Sequence, residues 1–368
     1  MIIGIHSVAA FKPHKTGVEK YAKRLVENMA MLPEAKEHRF ILYTNKQNQS
    51  TATERIRNQD LPENFYLKIL KFPFLWTQIR LAAHFIFKKP DAFFVPAHIL
   101  PIISHPKNST VMIHDIAFEL FPEAYPLFHR KYLRFTTKYA LKHAEKIIVP
   151  SESTKQDILR FYKWVDEKKI FVVYHGMEYK LLDLKFSEAP LNFPYFLYIG
   201  RLEFKKNILG ILRAFDLFKA QYKSTHKLVL AGGLGFGGEK IKEMAAKHRF
   251  KNDIILTGFI SEEKKENLFV SADIFLFPSL YEGFGFPILE AQAFGVPVIT
   301  SCISSMPEVS GEGAILVNPH KPEEIKDAII RILIDESLRK NLIVKGRENL
   351  KIFSWQNCAR ETLRIITD

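Results

Sequence analysis

The chain has 368 residues, enough for two ordinary cores, and its 47% hydrophobic and 25% charged residues are globular proportions that exclude a disordered chain. A net charge of +13 suits polyanionic partners, but no zinc-finger spacing, RNP-type motif or long basic tail occurs, which sets nucleic acid aside. The two cysteines, Cys302 and Cys358, give no disulfide framework or metal cluster and fit a reducing cytoplasm, and no uncharged apolar run reaches the roughly 18 residues of a membrane span.

In chain order, Ile2 to Ser7 reads as a buried first strand and not a signal peptide, and Val18 to Met31 as a helix. Phe40 to Thr44, Ala92 to Val95, Thr110 to His114 and Lys146 to Pro150 follow as strands, with a helix over His129 to Ala144. Asp183 to Pro194 is irregular, carries two prolines and reads as a linker. The alternation then restarts. Tyr195 to Ile199, Lys227 to Ala231, Asp253 to Thr257, Ile274 to Pro278 and Val296 to Thr300 are strands, and a helix covers Asn207 to Tyr222. Glu323 to Ile334 and Glu336 to Asn349 are late helices. Such alternation predicts two doubly wound α/β domains, and ligands in such sheets sit beyond the carboxyl ends of the strands.

The strongest motif spans Ile274 to Ala291. An apolar strand runs into a loop with Gly283 and Gly285, then into a helix with Pro287 in its first turn. Glycines admit a ligand close to the backbone, and a helix start offers free N–H donors suited to phosphate. Glu282 and Glu290 bracket the turn as acceptors for sugar hydroxyls. This pattern resembles the E-x7-E motif of the large retaining glycosyltransferase family with the GT-B fold, family four of the usual classification. The flanks agree, with Phe-Pro-Ser before it and Ala291 to Thr300 after it. The resemblance implies that Glu282 contacts the donor hexose and Glu290 the donor ribose, with Gly283, Phe284, Gly285 and Leu289 beside the donor.

A second motif, Tyr195 to Asn207, ends a strand at Gly200 and brings Arg201, Lys205 and Lys206 to a helix start, where fixed cations could clamp a pyrophosphate. It resembles the family's Gly-Arg-Leu…Lys-Asn segment. Arg201 and Lys206 take the phosphate roles, and the adjacent Lys205 could fill the second by register. A third, Val111 to Asp115, delivers His114 and Asp115 at a strand end, followed by Phe121-Pro122-Glu123. That combination is similar to family members acting on polysaccharide and O-antigen-type acceptors, in which the histidine helps to position the donor sugar. The turn Lys15 to Tyr21 looks like the family's glycine loop with one of two glycines replaced, so only Gly17 is carried over.

Gly233 to Gly238 spells the dinucleotide fingerprint G-x-G-x-x-G, but the next strand, Asp253 to Thr257, does not end in the acidic residue that fingerprint needs. The loop reads as lining the nucleotide side, with Ile260 near the base by resemblance. No D-x-D occurs, so no metal site is expected, and no cofactor beyond the nucleotide-sugar substrate. Arg130, Arg134, Lys138, Lys142 and Lys146 recur every four residues, and Lys68 to Lys89 mixes lysines with Phe72, Phe74, Leu75 and Trp76. Both features read equally as an anionic membrane contact or as solvated faces over core aromatics.

The resemblance therefore implies a GT-B fold, two Rossmann-like domains facing a central cleft. Residues 1–185 form the acceptor-side domain, 195–350 the donor domain and 351–368 a helix crossing back to the first. The implied reaction moves a hexose, mannose from GDP-mannose before a UDP-sugar, to a surface-glycan or lipid-linked acceptor with retention. The enzyme would be cytoplasmic, with the inner membrane face as a peripheral station. A nucleotide-sugar epimerase on the same fold and a non-catalytic binding protein stay open as rivals.

Overall fold

The computed structural model describes residues 1–12, 17–48, 50, 61–72, 74–177 and 191–368. Residues 13–16 and 178–190 lie outside them, so Lys15 and Thr16 of the glycine loop and most of the expected linker are not described. The chain forms two compact units. The first comprises Met1–Leu120, Pro126–Gly176 and Phe353–Asp368, and the second Phe121–Tyr125 and Met177–Ile352.

The first unit is built on β1 (Ile2–His6), β2 (Arg39–Thr44), β3 (Phe65–Ile69), β4 (Ala92–Val95), β5 (Ser109–Met112), β6 (Lys146–Val149) and β7 (Ile170–Val172). All pair in parallel, in the order β3-β2-β1-β4-β5-β6-β7. The second contains β8 (Tyr195–Ile199), β9 (Lys227–Ala231), β10 (Ile254–Gly258), β11 (Ile274–Phe277), β12 (Val298–Ser301) and β13 (Ala314–Val317). These are also parallel, in the order β10-β9-β8-β11-β12-β13. The central strands β4 and β11 are apolar throughout and buried at every residue, as expected of parallel strands covered on both faces. In each sheet the strand order reverses once, between β1 and β4 and between β8 and β11. Those switch points are where doubly wound sheets open a crevice for ligands.

β3, β7 and β13 are absent from the expectations above. Each is an outer strand of its sheet, and β3 and β13 are only partly covered, so neither forms a fully buried run. The helix expected from His129 begins two residues earlier and spans Leu127–His143. Lys146 is not on it. That residue lies in β6, and its ammonium donates to the carbonyl of Ile365 at 2.8 Å, so the basic ridge ends at Lys142.

Within the first unit, helix Trp355–Thr367 packs on helix Gly17–Ala30. Ser354 caps it by accepting from the Asn357 N–H at 3.3 Å. Gly176 makes the approach possible, because a Cβ there would lie 2.1 Å from the Trp355 nitrogen.

Candidate functional site

In the second unit β11 ends at Phe277, and the chain turns through Pro278 to Gly285 into helix Phe286–Ala293. Gly285 has φ +116, a conformation that side chains rarely adopt. Pro287 sits in the first turn, where a missing N–H breaks no helical bond. The turn buries Glu282 beside Lys206, whose Nζ donates to both carboxylate oxygens at 2.5 and 2.6 Å. Ser279 Oγ donates to Glu282 Oε1 at 2.9 Å.

The Glu282 backbone is gripped as tightly. Its N–H donates to Ser304 Oγ at 3.2 Å, and the hydroxyls of Ser304 and Ser305 donate to its carbonyl at 2.7 and 2.9 Å. Ser305 also reaches the Phe284 carbonyl at 2.7 Å. Ser304 has φ +58, so a non-glycine residue is held in the left-handed region where it makes these bonds.

The neighbouring loop leaves β8. Gly200 and Gly232 lie back to back, with φ +151 and +144, and a Cβ on Gly232 would sit 2.0 Å from the Gly200 carbonyl oxygen. Arg201 follows with its side chain exposed and its aliphatic stem beside Gly235. The two lysines point to different partners: Lys206 reaches Glu282, while Lys205 lies 3.8 Å from Glu203. Asn207, left-handed at φ +57, ties the next helix down by donating to the carbonyls of Pro278 and Pro319 at 3.0 and 2.7 Å.

Glu290 is buried on helix Phe286–Ala293 and accepts from Lys265 Nζ at 2.9 Å. Gly283, Phe284 and Gly285 are buried in the turn, and the Leu289 side chain is wholly buried. Ile260 is half-buried after β10, just before Ser261 caps helix Glu262–Val270. The glycine-rich loop after β9 continues at Gly237, φ +75, into helix Gly238–Ala246.

In the first unit β5 ends at Met112, and His114 follows, buried under Tyr21 with ring centroids 5.0 Å apart in an edge contact. Gly17 is exposed at the start of the helix that carries Tyr21. His114 Nε2 lies 2.8 Å from the Pro96 carbonyl, which can only accept, so Nε2 carries the proton. Burial, then the neighbouring His98, pushes the His114 pKa down to about 4. The ring is therefore neutral near pH 7, with Nδ1 as an acceptor. Asp115 has a structural bond, its Oδ1 accepting from the Ala117 N–H at 2.9 Å. Phe121 groups with the second unit, its ring 6.1 Å from that of Tyr281.

Sequence reasoning missed Lys265, Ser304 and His98. The His114 N–H donates to His98 Nε2 at 3.4 Å, and His98 has φ +23. None of the three belongs to a recognisable spacing; each is found only through what it touches. Among the described residues no cluster of His, Cys, Asp and Glu could hold a metal, and no helix is long and apolar enough to cross a membrane. Two surface cavities of the second unit, about 270 and 510 Å³, share Arg213, His320 and Pro322 and include none of the residues expected at the site.

Two family descriptions match the chain, glycosyl transferases group 1 over residues 182–349 and glycosyltransferase family 4 over residues 15–180. The O-antigen chain mannosyltransferase B of Escherichia coli is 26% identical over 372 residues, covering 95% of each chain. Sucrose-phosphate synthase from Thermosynechococcus elongatus superposes with TM-score 0.72 at 19% identity, over 100% of this chain and 98% of that one. Anabaena HepE, solved with UDP and glucose, gives 0.71 at 17%, over 100% and 99%.

Proposed function

The chain belongs to the group 1 glycosyltransferases, with their GT-B fold, and from that premise we propose that it transfers mannose from GDP-mannose, before a UDP-sugar, to a surface-glycan or lipid-linked acceptor with retained anomeric configuration. The likeness to an O-antigen mannosyltransferase supports the sugar and the acceptor class. The observation that carries the donor site is the Lys206–Glu282 pair, a cation and a carboxylate fixed together at a switch-point loop beside a helix start.

In this reading Glu282 accepts hydrogen bonds from hexose hydroxyls and Glu290 from the ribose. Arg201 and Lys206 face the diphosphate, with Gly283, Phe284 and Gly285 giving it close backbone approach. Lys205, turned toward Glu203, is a secondary phosphate contact. Leu289 supports the donor helix from the core, and Ile260 packs near the base. In the first domain Gly17 leaves room at a helix start, and neutral His114 accepts from a sugar hydroxyl through Nδ1.

The bond from the anomeric carbon to the phosphate oxygen breaks while the acceptor oxygen bonds to the same face. The acceptor hydroxyl's proton passes to the departing diphosphate. Arg201 and Lys206 stabilise charge that grows on that group as the bond lengthens, which is differential stabilisation of the transition state. No metal is needed for this charge balance.

An anionic membrane is the proposed peripheral partner. Helix Leu127–His143 contains no Asp or Glu, and Phe128 and Phe135 stand 87% and 57% exposed among Lys131, Lys138 and Lys142. Phe74 and Leu75 are also exposed, whereas Trp76 is buried and donates to the Leu70 carbonyl at 2.6 Å.

The test is release of GDP from GDP-mannose with and without a mannan-type acceptor, in chelator, with the product anomer assigned by NMR. Acceptor-dependent release with retention is expected. Conversion of the donor to a second nucleotide sugar without acceptor and without GDP release would favour an epimerase, and binding without turnover a non-catalytic module.

A further inference from the structure

Glu290 and Lys265 come from different helices, and their side chains are 9% and 13% exposed. The ammonium of Lys265 donates to Glu290 Oε1 at 2.9 Å, and Glu262, itself largely exposed, lies 2.7 Å away on the other side. Burial opposes the charge on Lys265, but the two carboxylates outweigh it and hold its pKa above the ordinary lysine value.

A pair this buried does more than an exposed one. It fixes the rotamer of each partner, and removal of one strands the charge of the other. Lysine is also only a donor, so it holds the carboxylate ionised and never competes with it as an acceptor. A carboxylate has about four acceptor sites, so one lysine bond orients it without exhausting it.

We propose that Lys265 is a positioning residue for the ribose of the donor, aiming an ionised Glu290 at the sugar's hydroxyls. This rests on Glu290 being the ribose contact. Lys265 then acts on donor recognition and not on the departure of the diphosphate, so its loss raises KM for the donor and leaves kcat nearly unchanged.

The experiment measures, by calorimetry, the affinity of wild type, Lys265→Met and Lys265→Arg for GDP, UDP and their 2′,3′-dideoxy analogues. Wild type should favour the better ribonucleotide over its dideoxy analogue by about tenfold or more, the value of one charge-assisted hydrogen bond. Lys265→Met should cut that preference to below about threefold, with dideoxy affinity unchanged, and Lys265→Arg should keep it. Retained preference in Lys265→Met overturns the role of Lys265 alone. Equal loss of both nucleotides with a lower melting temperature makes Lys265 merely structural and overturns it too. No preference in wild type instead removes the ribose reading of Glu290, and this inference with it.

Discussion

Lys206 and Glu282 are joined by two short hydrogen bonds, 2.5 and 2.6 Å, although 76 residues separate them. β8 and β11 are adjacent, so their loops leave the sheet side by side, and the pair closes the gap between the two loops. Side-chain exposures of 15% and 10% leave little water to screen it.

Removing either partner strands the other as a buried charge, so Lys206→Met and Glu282→Gln should each lower stability by about 3 kcal/mol. The catalytic loss should be larger, about 100-fold or more in kcat/KM, if both groups face the reacting sugar phosphate as proposed. The double variant should be less damaged than the two single losses summed, since its second substitution removes a charge already stranded. Additive losses in a double-mutant cycle would show that the pair is not a functional unit.

Ser304 separates backbone strain from hydrogen bonding. Ser304→Ala loses both bonds to the Glu282 backbone and keeps the φ of +58; Ser304→Gly loses the same bonds but relaxes the strain. The glycine variant should therefore melt above the alanine variant, by about 1 kcal/mol in stability. Both should lose about tenfold in kcat/KM, because an unclamped Glu282 loses its aim. A glycine variant with full activity would mean that the hydroxyl does not position Glu282.

How the site was legible follows from these residues. Glu282, Arg201 and Lys206 sit at motif positions on loops that leave central strands, with Glu290 on the helix that follows, and central strands announce themselves as short apolar runs such as Ile274–Phe277. β3 did not, because Tyr66 and Lys68 alternate with covered residues on an outer strand, and three-residue β7 is too short to show a period. Ser304 and Lys265 were hidden for a different reason. Ser304 lies 22 residues from the backbone it clamps and Lys265 lies 25 from its carboxylate, and nothing local marks either contact. The Arg130 spacing was legible but overextended, since a period of four continues past a helix that stops at His143.

The first domain should be acid-sensitive. His6 and His114 are both pushed down to about 4, chiefly by burial, and His98 and His175 are lowered for the same reason. Each binds a proton more readily unfolded than folded. Their contribution is therefore complete above the unfolded pKa near 6.5 and declines as pH falls, for His6 and His114 by about 1.4 kcal/mol per pH unit down toward 4. Chemical denaturation followed from pH 7 to 4.5 should show a steep fall, made shallower by about one proton's worth in His6→Gln. An unchanged slope in that variant would place the histidine in a solvated site.

Gly176 tests the return of the C-terminal helix. A Cβ at this position would lie 2.1 Å from the Trp355 nitrogen and 2.3 Å from its Cα, and backbone atoms cannot swing aside as a side chain can. Gly176→Ala should cost about 3 kcal/mol, with protease cleavage appearing near Phe353 as helix Trp355–Thr367 is displaced. Wild-type resistance to cleavage would mean that the contact relaxes easily.

The exposed aromatics of helix Leu127–His143 make the proposed membrane contact measurable. Phe128 and Phe135 lie seven residues apart, close to two helical turns, and Lys131, Lys138 and Lys142 fall between and beyond them on the exposed side. Such a face can insert its rings at the lipid interface while its lysines neutralise anionic headgroups, each worth about 1 kcal/mol near the surface. The protein should co-float with vesicles of mixed anionic and zwitterionic lipid and not with purely zwitterionic ones. Phe128→Ser with Phe135→Ser should reduce flotation at physiological salt, and high salt should abolish what remains. Neither residue is among the proposed donor groups, so GDP affinity should be unchanged; equal flotation of wild type and variant would leave the lysines as a solvated face.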